Sequence, residues 1–328
     1  MDRLQSKSRY LAPLVGALIS AFALPLSAQD FPSKPIRWVV PFGPGTVFDI
    51  VARLSIPEMT KTLGQPIVIE NRPGAGALVG SEYVAKNVPA DGYTILMGLP
   101  NLLTFKLFVK DLRFDPVKDL VPAAMLVDSP AFIITNAQTP FKTFQELISY
   151  AKANPGQLNY GTSGTQSWPT LMFEAMQARF GVKLVQIIYK DGPAAAQAAN
   201  LANQIQLSVG TEAVTLGDIK AGKLRPLVVS GAHRVASAPS VPSSLDAGYP
   251  DLITAWYSIH VPSATPKPII DRISKAALGA LNHAETRASY EKAYFRIIGT
   301  GPDQAAKQIA AEEDIYLSVG RKANIQPQ

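Results

Sequence analysis

The apolar run from Trp38 to Phe42 stops at Gly43-Pro44-Gly45, and Thr46, with Asp49 three residues on, opens a stretch carrying Ile50, Val51, Leu54 and Leu63 on one face. Those residue types read as a buried strand, a tight loop and a helix whose N-cap is Thr46 and whose N3 residue is acidic. Such a junction turns unpaired backbone N–H groups and the positive end of the helix dipole toward whatever lies above it, which makes it an anion site or an ordinary βα turn. Pro57 inside the helix removes one backbone hydrogen bond and is expected to kink it.

The same pattern recurs. Strands are expected at Pro66 to Glu70, Tyr93 to Met97, Ala131 to Thr135, Leu158 to Tyr160, Leu184 to Ile188, Ile205 to Val209, Leu227 to Ser230 and Trp256 to Val261, with helices between most of them. Alternation of this kind specifies an α/β fold with largely parallel sheets. Two long helices follow, one over Asp271 to Leu281 and one after Gly301-Pro302. They most naturally return to the first half of the chain, so the chain crosses between halves near residues 131 and 254, and ligands favour the cleft between domains.

At the N-terminus, Arg3, Lys7 and Arg9 precede an apolar run from Leu11 to Leu26, and Leu26-Ser27-Ala28 offers a cleavage site before Gln29. That is the form of a secretory signal peptide over residues 1–28. The absence of Cys excludes disulfides, thiolate metal sites, Cys nucleophiles and a lipidated Cys, and it fits a bacterial periplasm. Of the formal net charge of +6, Arg3, Lys7 and Arg9 less Asp2 account for +2, leaving +4. The remaining cations are scattered, not clustered with aromatics as a nucleic-acid surface requires.

Catalytic patterns are missing. His233, His260 and His283 stand apart, with no H-E-x-x-H spacing. Ser163 in Gly161-Thr162-Ser163-Gly164-Thr165 departs from the G-x-S-x-G elbow at its last position. Gly74-Ala75-Gly76 with Gly80 resembles a dinucleotide fingerprint, but the spacing is wrong and Pro73 intrudes, so tight turning and close helix–sheet packing explain the glycines better. No cofactor is expected.

With these residues in place, the chain resembles the periplasmic solute-binding proteins of tripartite tricarboxylate transporters, the Bug family. The resemblance runs through Phe31 to Arg37, Pro41-Phe42-x-Pro44-Gly45-x-x-x-Asp49, Gly64-Gln65-Pro66, Glu70 to Gly76, Asp91 to Thr94, Asp115 to Leu120, Lys152 to Gly156, Leu158 to Gly161, Tyr189-Lys190 and Ile219 to Arg225. It implies a two-lobed Venus-flytrap fold, each lobe a mainly parallel sheet flanked by helices, with residues 29–131 plus 254–328 in lobe I and 132–253 in lobe II. It further implies a non-enzymatic receptor, a monomer, that takes a small carboxylate and delivers it to the membrane subunits of a secondary transporter.

The residues that the resemblance places at the ligand are Phe42, Gly45, Thr46, Phe48 and Asp49 in the first loop, Asn101 after the third strand, Thr162, Thr165, Gln166, Ser167 and Trp168 around the next lobe's first helix start, then Gly192, Pro193 and Thr211. Several depart from the family pattern. Thr46 replaces a glycine, Phe48 and Trp168 stand where small residues are usual, Asp191 replaces a glycine, and an acidic residue is shifted or replaced around Thr211-Glu212. The two aromatics point to an aromatic carboxylate such as terephthalate, with Lys106, Lys110 and Lys190 available to a second carboxylate. An aliphatic di- or tricarboxylate or an acidic amino acid is the alternative ligand, a sensor partner the alternative role, and a hydrolase the remote one.

Overall fold

The computed structural model describes residues 31–250 and 252–327, so the leader expected over 1–28 lies outside the described residues. The strands are β1 (Ile36–Val40), β2 (Ile67–Asn71), β3 (Thr94–Gly98), β4 (Leu120–Ser129), β5 (Ala131–Asn136), β6 (Asn159–Thr162), β7 (Val185–Ile188), β8 (Leu207–Thr211), β9 (Leu224–Val229), β10 (Ala255–Pro262) and β11 (Arg296–Thr300). They form one sheet in the order β11-β4-β10-β3-β1-β2 and another in the order β7-β6-β8-β5-β9. The first sheet thus draws on both ends of the described chain and the second on its middle. Strands β3, β5 and β10 are buried along their whole length. Helices cover both faces of such strands, which is why they read as nearly unbroken apolar runs.

The helices are α1 (Val47–Leu63), α2 (Leu78–Lys86), α3 (Asn101–Phe108), α4 (Phe144–Ala153), α5 (Trp168–Phe180), α6 (Pro193–Leu201), α7 (Glu212–Lys220), α8 (Lys267–Asn282), α9 (Ala284–Lys292) and α10 (Pro302–Lys322). As expected, the C-terminal helices return to the first sheet: α8 packs on α1 and β4, and α10 on β4, α3 and also α5. Helix α1 runs through Pro57 to Leu63. Strand β4, helix α9 and strand β11 were not legible from the sequence pattern.

The sheets are mixed, which corrects the expectation of largely parallel ones. β1 pairs in parallel with β2 and β3, and β6 with β7 and β8. β10, however, is antiparallel to β3 and β4, and β5 to β8 and β9. The physical reason is the crossing itself. A strand that has just arrived from the other sheet runs away from the junction, whereas strands that feed the helices at the junction run toward it. β5 follows β4 after Pro130 alone, and β10 is the first strand after the second crossing. The two crossings are tied together: the Ser230 N–H donates to the Ala131 carbonyl at 2.7 Å, the Ala131 N–H donates to the Ser230 hydroxyl at 2.9 Å, and that hydroxyl lies 3.0 Å from the hydroxyl of Thr254.

The Gly74–Gly80 segment serves packing. A side chain at Gly80 would sit 2.9 Å from the Pro41 side chain, so only glycine lets α2 lie against the end of β1. Gly74 adopts φ +143°, open to glycine alone without strain.

Candidate ligand-binding site

Because the βα strands of both sheets end at the junction, five helices begin there around a cavity of about 120 Å³. Thr46 and Val47 open α1, Asn101 opens α3, Trp168 and Pro169 open α5, Pro193 and Ala194 open α6, and Thr211 precedes α7, and all of these residues line it. Ser, Thr and Asp before a helix normally accept a hydrogen bond from its first N–H groups. At this cavity they do not. Thr46, Ser167 and Thr211 are N-cap residues without a side-chain cap. The Thr46 hydroxyl donates to the Gly43 carbonyl at 2.9 Å instead, and the Ser167 hydroxyl pairs with that of Thr170 at 3.0 Å. Thr143, before α4 and away from the cavity, behaves in the ordinary way and accepts from the Glu146 N–H at 3.1 Å. The N-cap side chains at the cavity therefore leave leading N–H groups of these helices uncapped, which suits an anion, although Asp49 and Glu212 stand in the first turns of α1 and α7.

The walls are largely apolar. Phe42 and Phe48 stack at 4.3 Å with their planes 13° apart, and Phe48 meets Tyr257 edge-on at 5.6 Å. Trp168, Val209 and Val214 complete them, while Ser163, Gln197 and Asn101 supply polar side chains. Among the described residues, none that lines the cavity is charged. Burial pushes the Tyr257 phenol above its usual range, with the neighbouring Thr211 hydroxyl acting in the opposite direction, so it stays a neutral hydroxyl.

Of the residues expected at the ligand, Phe42, Gly45, Thr46, Phe48, Asn101, Trp168, Pro193 and Thr211 line this cavity. Asp49, Thr162, Thr165, Gln166, Ser167 and Gly192 do not. Asp49 is a brace for the first loop: its carboxylate accepts from the Gly45 N–H at 3.0 Å and from Arg53 at 2.7 and 3.1 Å. Burial opposes its charge, but bonds from Arg53, Gly45 and Asn71 outweigh that and hold the carboxyl below the usual range. Thr162 receives Gln186 Nε2 at 2.8 Å. Thr165 faces a separate hollow shared with Glu174, Gln186 and the Ala323–Gln326 segment. Gln166 reaches across the junction, its side-chain amide donating to the Ala75 carbonyl while its backbone carbonyl accepts from the Thr104 hydroxyl. Gly192, at φ +98°, is the N-cap of α6, and a side chain there would meet Phe42 at 3.8 Å.

The lysines are likewise placed elsewhere. Lys106 is engaged by Asp115 at 2.8 Å and Glu313 at 2.7 Å, and neither Lys110 nor Lys190 lines the cavity. Tyr257, Val209 and Val214 were missed from the sequence because they reach the cavity from strands or from within a helix, where local pattern marks them only as core. His260 is a core residue: it is 1% exposed, its Nδ1 lies 3.1 Å from the Ser258 hydroxyl, and burial lowers its pKa to about 3. Among the described residues there is no cluster of metal-ligating side chains.

Residues 51–317 match the family model described as the tripartite tricarboxylate transporter family receptor, TctC. The chain belongs to this family of transporter receptors. Its members are substrate-binding proteins, not enzymes. The TctC-family chain is similar to the protein BugT of Bordetella pertussis, with 31% identity over 95% of this chain and 97% of BugT. Among solved structures it resembles the periplasmic binding protein BugD, at TM-score 0.84 and 27% identity over 91% of this chain and 100% of BugD. It also resembles R. palustris Rpa4515 with adipate, at TM-score 0.84 and 28% identity over 91% of this chain and 100% of that one. MatC of Rhodopseudomonas palustris with bound malate gives TM-score 0.83 and 27% identity over 88% of this chain and 100% of MatC. The fold is thus the two-lobed fold of periplasmic binding proteins, and the cavity at the junction is the candidate site of this family member.

Proposed function

We propose that this TctC-family receptor captures a ring-bearing carboxylate, such as terephthalate or a benzoate, in the cavity between its two sheets, and passes it to membrane subunits of a tripartite transporter. The observation that carries the reading is the convergence of uncapped helix starts on a cavity with no charged lining residue among those described and with Phe42, Phe48, Trp168 and Tyr257 in its walls. The relatives with adipate and malate support a carboxylate as the ligand class. Each helix end contributes roughly 0.3–1 kcal/mol, up to ~2 when partly buried, and each charge-assisted hydrogen bond ~1.5–3 kcal/mol. Several together sustain micromolar binding, about −8 kcal/mol, without an arginine clamp. The aromatic walls offer a planar ring ~0.5–1.5 kcal/mol beyond area burial.

The lobes move as 29–131 plus 254–328 against 132–253, hinged at the two crossings, and the receptor acts as a monomer after removal of its leader in the periplasm. Calorimetry with aromatic acids, aliphatic di- and tricarboxylates and acidic amino acids tests the ligand. The expected outcome is micromolar affinity for at least one ring-bearing acid. Preference for citrate, adipate or glutamate over every aromatic acid would remove the aromatic assignment, and silence across the panel would remove the carboxylate.

A further inference from the structure

Asn101, the first residue of α3, is 1% exposed and lines the cavity. Its Nδ2 donates to the Gly76 carbonyl at 2.6 Å, and its Oδ1 has no hydrogen-bond partner among the described residues. The contact with Gly76 fixes the orientation of the amide, since exchanging nitrogen and oxygen would set two acceptors face to face. The N-cap of α3 is Pro100, so Asn101 stands one position inside the helix and its amide oxygen is not placed to cap it. Buried acceptors are nearly always paired, so this one needs a partner from outside the chain. Ser163, Thr211 and Gln197 also line the cavity, with side chains that can either donate or accept. The helix starts offer N–H donors suited to a carboxylate, whereas the Asn101 oxygen only accepts.

We infer, resting on the carboxylate reading above, that the captured acid also carries a hydroxyl group, which Asn101 Oδ1 accepts, so that Asn101 separates hydroxy acids from their deoxy counterparts. The donor is a neutral one. Among the described residues no Asp or Glu lines the cavity, and an ammonium group there would lose its water without gaining a counter-charge. A site that holds a substrate hydroxyl rejects the analogue without it, because the protein's own buried group is then left unpaired.

Matched ligand pairs test this by calorimetry on the wild-type protein: malate against succinate, and 3- and 4-hydroxybenzoate against benzoate, with aspartate as the ammonium counterpart of malate. The expected result is that, in whichever skeleton binds, a hydroxylated member binds at least tenfold more tightly, and that aspartate does not share the gain. Asn101→Ala should bring the ratio within a pair close to one. Loss of the Gly76 contact would weaken both members alike and leave the ratio intact, so the ratio separates recognition from a structural role. Equal affinities within the pairs, an undiminished ratio in Asn101→Ala, or aspartate as tight as malate would overturn the inference while the carboxylate reading stands. Silence of every acid would overturn both. Should Asn101→Ala fail to fold, the wild-type pairs decide the point alone.

Discussion

Trp168 is the first helical residue of α5 and only 7% exposed, yet what surface it keeps faces the cavity. An indole held this way, with Pro169 behind it restricting the helix start, loses little freedom when a ligand arrives. If the ligand is a ring-bearing acid, Trp168→Ala removes a wall it lies against. The expected outcome is an affinity loss of about tenfold or more for that acid, ~1.4 kcal/mol, with a much smaller change for an aliphatic acid of similar length. Isothermal titration of the variant with one acid of each kind measures it, and an aromatic acid bound undiminished would show that the indole is only core. Phe48 is the less informative target, because its stacking on Phe42 and contact with Tyr257 also support the fold.

At the level of elements, the helix starts and strand β10 show how one piece of chain serves both stability and site. β10 carries Tyr257 into the cavity wall and, three residues on, His260 into the core, where Gly98 on β3 leaves room for the imidazole. His260 titrates at about 3 in the folded protein because burial disfavours its charged form, against about 6.5 in the unfolded chain. Between those values the unfolded state binds a proton that the folded state refuses. The contribution is complete above about pH 6.5 and is lost progressively as pH falls toward 3, at about 1.4 kcal/mol per pH unit. Denaturant unfolding of His260→Gln should therefore show a shallower loss of stability over that window, with lower stability at pH 7 from imperfect repacking. An identical acid slope in the variant and the parent would assign the loss to other groups.

For the whole molecule, the proposed hinge motion is tested through the contacts that span the junction. Gln166, Thr104 and Ala75 join the loop before α5 to the first half of the chain. These protein–protein contacts favour the closed arrangement on their own, and a ligand that touches both halves adds to them in proportion to its differential affinity for the closed state. In small-angle scattering, Gln166→Ala should have a larger radius of gyration than the parent protein. Saturating ligand should then compact the variant more than it compacts the parent. An unchanged radius in both proteins, with and without ligand, would mean that the two halves do not hinge.

Sequence alone determined the alternation of strands and helices, the two crossings between sheets and the polar helix starts, because each is written in local residue types such as Gly43-Pro44-Gly45-Thr46 and Gly192-Pro193. It also separated packing glycines from a nucleotide loop, which Gly80 against Pro41 bears out. Strand direction was not local: β5 and β10 run antiparallel to their neighbours because they enter from the other sheet, which no residue pattern records. Division of labour inside a loop was equally hidden. Asp49 and Trp168 both stood in expected ligand loops, but only packing turned the carboxylate of one onto Gly45 and Arg53 and the indole of the other to the cavity. Which side chains face a ligand is a property of how two sheets meet, and the amino-acid order specifies it only through the three-dimensional core.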